Sequence, residues 1–294
     1  MTIIRGNWMP VFGILSFLLG HSATSYAEDV TLGKLRETTH IHGLAFDRAD
    51  PSQILIATHH GFYRAGPDGA ATLASESRDD FMGFTPDPGN AQSLYASGHP
   101  SSGGNLGFIA SYDGGKTWTQ LSPGADGPVD FHQLTVSAAD PKVFYGAYGS
   151  LQTSRDGGRT WQVVGELPDR LIDLAASARD SAVIYAATET GLLVSRDGGR
   201  SWQEIIADAA VTVVDVTAEG IAHAFVYGRG LMRANEETLE FTPVGEEDFG
   251  GGYLLHLAVD PTNGQRLAAA TEKGLILESR DGGTSWEPLG KDAQ

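Results

Sequence analysis

The chain has 294 residues, with 37 acidic against 20 basic side chains and a formal charge of −17, so it lacks the basic face that nucleic-acid binding requires. It has no cysteine, which excludes disulfide scaffolds, thiolate metal sites, iron–sulfur clusters and cysteine nucleophiles. Its 38 glycines are nearly twice the usual share of roughly 7%, the composition of a chain with many tight turns.

In chain order, the first element is a targeting segment. Arg5 supplies a positive start, residues 11–20 (VFGILSFLLG) form an apolar run of ten, and Ser25-Tyr26-Ala27 offers small residues at a cleavage site. Ten apolar residues cannot cross a bilayer core, which takes roughly 20. Residues 1–27 are therefore expected to be a cleaved signal peptide, and residues 28–294 one exported domain, periplasmic or secreted, with no membrane span left after cleavage.

The remainder is repetitive. The octet Ser-x-Asp-Gly-Gly-x-(Thr/Ser)-Trp occurs at 111–118, 154–161, 195–202 and 279–286, at intervals of 43, 41 and 84 residues. The last interval is a doubled period of about 42, and a worn copy fills the gap at 232–241, where Phe241 replaces tryptophan. Another worn copy, 64–71, precedes the first clear one, which makes six units. Each unit reads as four short strands separated by turn signals, for example HLAVD, RLAAAT, GLILES and the tryptophan segment in the last. The expected fold is all-β: a six-bladed β-propeller of four-stranded antiparallel blades, because a lone blade cannot cover both its faces and a ring protects the edges. Residues 30–37 (VTLGKLRE) read like the outer-strand segment 163–168 and compete with 286–289 to finish the sixth blade.

The octet resembles the Asp-box, or BNR, repeat of sialidases, sortilin-type receptors and photosystem II assembly factors. The stretch 40–61 (HIHGLAFDRADPSQILIATHHG) also resembles a bacterial exported subgroup labelled glycosyl hydrolases. The resemblance implies a propeller and allows an enzyme or a binding module. The arginine cluster with which a sialidase grips its substrate's carboxylate is missing, since only Arg170 and Arg229 face the right way. Asp113, Asp156, Asp197 and Asp281 read as turn-forming residues and not as calcium ligands, because each turn offers one carboxylate where Ca2+ collects six to eight oxygens.

Strand order within a blade puts the start of the first strand and the turn after the second strand on one face, opposite the octet turns. Of the eight histidines after residue 27, His40, His42, His59, His60, His99, His132 and His256 fall on that face, and only His223 does not. Asp80 and Asp130 occupy equivalent places in the second and third blades, with Tyr148, Arg170, Glu189 and Tyr227 around the rim. Several chemistries fit. His40, His42, His59, His60, His99 and His132, with the two carboxylates, suit a transition metal such as Zn2+ or Cu2+. Asp80 and Asp130 could serve as the catalytic pair of a non-sialidase glycoside hydrolase. His256, Tyr148, Arg170, Glu189 and Tyr227 could instead bind a small polar ligand, a glycan or a protein partner without chemistry, or the polar face could simply cap the channel. The chain is expected to be monomeric.

Overall fold

In the computed structural model, Thr2 and residues 30–290 are described, and the signal peptide expected at 1–27 lies outside the described residues apart from Thr2. Six four-stranded antiparallel blades follow one another round a ring. Their innermost strands are Ile41–Phe46, Asp80–Pro86, Gln133–Val136, Leu171–Ala176, Val211–Val216 and Leu254–Val259. Each packs beside the next, and the last returns to the first. The blades are numbered 1 to 6 in that order below.

Alternation explains why blades form here and helices do not. Short runs such as Ile54–Thr58 and Leu267–Thr271 are fully buried because both faces of a blade meet a neighbour. Each of the six seams has its own apolar cluster. Phe62, Phe81 and Ile109 fill the seam of blades 1 and 2, and Phe108, Phe131, Phe144 and Trp161 that of blades 2 and 3. Trp161 is 7% exposed and sits edge-on to Phe108 at 5.2 Å, wedged between blades.

The octets form the turns between third and fourth strands. In all four, the Ser hydroxyl donates to the Asp Oδ1 at 2.8 Å, and the seventh residue's N–H reaches the same oxygen at 2.9 Å. The hydroxyl of that seventh residue donates to Oδ2 at 2.6–2.7 Å. Both oxygens are thus spent inside the turn. The Thr160 hydroxyl and N–H, with Ser154, hold Asp156 at about 2, and equivalent bonds from Ser285 and Ser279 hold Asp281 there too. The second glycine needs its positive φ and its missing Cβ: at Gly158 (φ 81°) a Cβ would lie 2.0 Å from the Phe108 ring.

Ring closure departs from the sequence expectation. Val30–Thr31 pairs with Ala70–Leu73 and so adds a fifth strand to the outer edge of blade 1, while Glu287–Pro288 alone completes blade 6. The rest of the 30–37 segment is helical, Leu32–Thr38, capped by Thr31, whose hydroxyl accepts from Lys34 N–H at 3.1 Å. Leu32 and Leu35 are spaced three apart, a helical interval and not the interval of two that a strand face requires. Both leucines are buried against Ile276, Ala270 and Leu289 of blade 6 and Ile56 and Tyr63 of blade 1. The helix therefore covers the seam where the ring closes. Arg266 fastens the same seam by bonding Glu278 of its own blade and the Pro51 carbonyl of blade 1, with its guanidinium 4.7 Å from the Phe46 ring centre. No helix among the described residues is long and apolar enough to cross a membrane.

Candidate functional site

The histidine-bearing end of the ring is built from β-bulges. In blade 1, Ile41 pairs with Thr58 and Gly43 with Ala57, so His42 is the extra residue of a bulge that turns its ring toward blade 2. Blades 4, 5 and 6 shift register at the matching place, around Ile172, Thr212 and Leu255. His59 comes from the turn after the second strand, its N–H bonded to the His40 carbonyl at 3.1 Å.

Asp80 and Asp130 are held by the phenylalanines that follow them. Phe81 and Phe131 are 0% exposed and anchor each carboxylate at the rim of a seam. Beside Asp80 the backbones approach so closely that a Cβ on Gly98 (φ 123°) would lie 2.0 Å from the Asp80 carbonyl oxygen. Beside Asp130, the hydroxyl of Ser97 accepts from Phe131 N–H at 2.9 Å and donates to the Gly107 carbonyl at 2.8 Å.

The carboxylates divide the histidines into two sets. Asp80, 7% exposed, receives His42 Nδ1 on Oδ1 and His59 Nδ1 on Oδ2, both at 2.8 Å. Asp130, 2% exposed, receives His99 Nε2 at 2.9 Å and His132 Nε2 at 2.8 Å, both on Oδ2. The sets are neighbours, because Asp80 and His99 are paired across the first two strands of blade 2. Burial opposes ionisation of Asp80, but the bond from His42 and the nearness of His42, His59 and His99 outweigh it and hold the carboxyl below its ordinary value. His132 is pushed up by its bond to Asp130 against the pull of burial, with the Asp130 and Asp80 charges adding to the rise.

The other sequence-selected residues take different places. His60 stands beside His59, with ring centres 4.8 Å apart, and His40 is exposed. His256 lies deeper, in the axial channel, where its Nε2 meets the Ile41 carbonyl at 3.1 Å and burial pushes it down to about 4. Tyr148 accepts from Asn105 Nδ2 at 3.0 Å. Arg170 and Glu189 pair with each other at 2.9 Å, and Tyr227 lies edge-on to Tyr253 at 6.1 Å. These rim residues of blades 4 and 5 bond among themselves and not to either histidine–carboxylate set. His223, 4% exposed in blade 5, is pushed down to about 4 by burial and the nearby Arg233.

Asp173 and Asp215, on the innermost strands of blades 4 and 5, were not among the sequence-selected site residues. They line an axial channel of about 230 Å3 that also takes in His42, His132, His256 and Glu219. Desolvation there pushes Asp173 up to about 7, against two backbone N–H bonds from Val214 and Leu174, and Asp215 up to about 6. The 101–105 loop delivers the Gly104 carbonyl to His99 Nδ1 at 2.8 Å.

Chemically, the arrangement offers imidazole nitrogens and carboxylate oxygens and no sulfur. Among the described residues, one group gathers three metal-capable donors: His42, His59 and Asp80, with one ligand atom from each lying within 4.8 Å of the others.

No protein-family model and no curated protein sequence matches the chain. Solved structures do resemble it in fold. The GH74 enzyme of Niastella koreensis is 16% identical with a TM-score of 0.60, covering 85% of this chain and 45% of the enzyme. The GH74 xyloglucanase of Xanthomonas campestris is 20% identical with a TM-score of 0.58, over 90% of this chain and 47% of that one. YCF48 bound to D1 peptide is 17% identical with a TM-score of 0.51, over 89% of this chain and 84% of YCF48. The chain therefore spans less than half the length of the two GH74 enzymes, and at these identities the likeness is one of fold.

Proposed function

We propose that this propeller is exported and binds a first-row transition metal, Zn2+ or Cu2+, at the histidine–carboxylate end of its ring, with His42, His59 and Asp80 as the ligand set. The observation that carries the reading is the convergence of three donors from three separate segments: a strand bulge, a turn and the neighbouring blade's first strand. Neighbouring ligands on a tetrahedral zinc lie about 3.3 Å apart, given bonds of roughly 2.0–2.2 Å. Closing from 4.8 Å takes a small ring rotation, which His59 can make because its side chain is 53% exposed. Three protein ligands leave one position for water or a small polar ligand, the arrangement of an exchanging site and not of a sealed structural one. His60 stands beside His59, and Tyr148, Arg170, Glu189 and Tyr227 lie around the rim of the same end of the ring, with His256 deeper in the channel.

Calorimetric titration of the purified chain with Zn2+ and Cu2+ tests this. A His42→Ala/His59→Ala variant is expected to bind at least a hundredfold more weakly and Asp80→Asn at least tenfold. Unchanged affinity in the double variant refutes the assignment. Export is tested by N-terminal sequencing of protein recovered from the periplasm or medium, which should begin at Glu28; an intact Met1 in that material refutes cleavage after Ala27.

The fold likeness to two GH74 enzymes supports a second reading, glycoside hydrolysis by Asp80 and Asp130. Because its carboxyl is held low, Asp80 suits the base or nucleophile, with Asp130 as the second carboxyl group of the pair. Hydrolysis of β-linked oligosaccharides that persists with chelator and vanishes in both Asp80→Asn and Asp130→Asn would favour this reading over the metal. No hydrolysis, or hydrolysis that survives both changes, removes it.

A further inference from the structure

The innermost strand of each blade pairs on one side only, so six free strand edges enclose the axial channel. Equivalent positions on those strands form rings around it. One ring is Gly43, Gly83, Gln133, Asp173, Asp215 and His256, and all six line the channel. The next residue is apolar in every blade, as at Leu174 and Val216, so hydrocarbon lies directly beside the polar ring. Both carboxylates of the polar ring stand on one side, in the adjacent blades 4 and 5.

Neither carboxylate has a counter-charge. Among the described residues no cation offsets Asp173 or Asp215, and the charge of Asp215 adds to the burden on Asp173. Asp173 Oδ1 accepts from Leu174 N–H at 2.9 Å and Oδ2 from Val214 N–H at 3.0 Å. Asp215 draws only on the adjoining Val216 N–H. A carboxylate has about four acceptor sites, so both keep lone pairs for a donor in the channel. Two desolvated charges without a partner are costly, and an occupant bearing positive charge removes that cost. A single small ion does not suit the place. Among the described residues the one group of three metal-capable donors is His42, His59 and Asp80, at the channel's end. A string of ammonium groups joined by methylenes does suit it. The free strand edges add carbonyl acceptors for the ammonium hydrogens, and the apolar ring receives the methylenes. Glu219 lines the channel toward the octet end, about 13 Å at most from Asp215 at roughly 3.3 Å per residue. Arg48 lines that end too, its guanidinium donating to the Pro88 carbonyl at 2.8 Å.

We infer that the axial channel binds a linear aliphatic polyamine, with its ammonium groups on Asp173, Asp215 and Glu219 and its methylenes along the apolar ring. This site is separate from the metal proposed at the histidine end and does not rest on it. The formal charge of −17 draws such cations to the whole surface, and the channel adds a fixed spacing of carboxylates that a loose surface contact lacks.

The test is calorimetric titration of the purified chain with spermidine, in salt of about 0.15 M to screen loose surface binding. One spermidine per chain is expected, with butylamine, which carries a single ammonium, bound about tenfold more weakly or worse. Asp215→Asn keeps the shape of the side chain and should weaken spermidine about tenfold or more, and Asp173→Asn/Asp215→Asn further still. Urea unfolding of Asp215→Asn separates lost binding from lost fold. Glu246→Gln/Glu247→Gln, outside the channel, should bind as the wild type does. So should His42→Ala/His59→Ala, which removes the proposed metal ligands and keeps both channel carboxylates. No saturable binding of spermidine overturns the inference and leaves the metal site standing. Binding that survives Asp215→Asn, or that the Glu246/Glu247 change weakens as much, also overturns it. A loss confined to the His42/His59 variant places the amine at the histidine end and overturns it as well.

Discussion

The axial carboxylates make the fold's stability depend on pH in a direction that can be worked out. Asp215 lines the channel, and burial raises its pKa from 3.8 to about 6, so the folded state disfavours the ionised form. A folded-state pKa above the unfolded value means the penalty is absent below 3.8 and complete above about 6. Two units correspond to about 3 kcal/mol at 1.36 kcal/mol per unit. Asp215 keeps part of its surface on the channel, where water screens it, and about 1–2 kcal/mol is the realistic figure. Asp215→Asn removes the charge while keeping the shape. Urea unfolding should find the variant more stable by about 1–2 kcal/mol at pH 7.5 and by only a few tenths at pH 4. A variant less stable than wild type at pH 7.5, or a difference equal at both pH values, would refute the argument from desolvation.

Three other outcomes follow from the seams and the site. Arg266→Ala takes one of two arginines from the buried Glu278, which keeps Arg280, and should cost about 1–3 kcal/mol, whereas Lys34→Ala, which breaks an exposed pair, should stay within about 0.5 kcal/mol; denaturant titration of the two variants checks the contrast. Leu35→Ala, at the helix over the closing seam, should cost about 2–4 kcal/mol, and a loss below about 0.5 kcal/mol would show that the helix does not hold the ring shut. Gly98→Ala sets a methyl against the Asp80 carbonyl and should weaken zinc binding by displacing Asp80, with calorimetry as the readout; unchanged affinity would mean the close approach does not position the carboxylate.

Much of the architecture was readable because the repeat marks its own turns. The Ser-Asp-Gly-Gly octets fix four turns outright, and their spacing places the worn units around Arg64 and Phe241. The closing segment was not readable in the same way. Its two leucines are three apart, but a two-residue strand precedes them and no octet marks the boundary, so resemblance to residues 163–168 suggested a strand. At the site, strand order alone carries the histidines to one end of the ring. It does not say which histidine meets which carboxylate. That depends on the bulge at His42, on Gly98 letting two backbones approach, and on a backbone carbonyl at Gly104, none of which side-chain pattern encodes. Asp173 and Asp215 were visible as inner-strand residues, but their raised pKa values come from the width of a channel that six separate blades define.

On the reading proposed above, imidazole and carboxylate at one end of the ring bind metal and the octet aspartates do not. Anomalous X-ray diffraction at the zinc edge, from crystals equilibrated with Zn2+, tests it most directly. An anomalous peak is expected within about 2.0–2.2 Å of donor atoms of His42, His59 and Asp80. A peak at Asp113, Asp156, Asp197 or Asp281 with none at the histidine end, or no protein-bound peak at all, would contradict it.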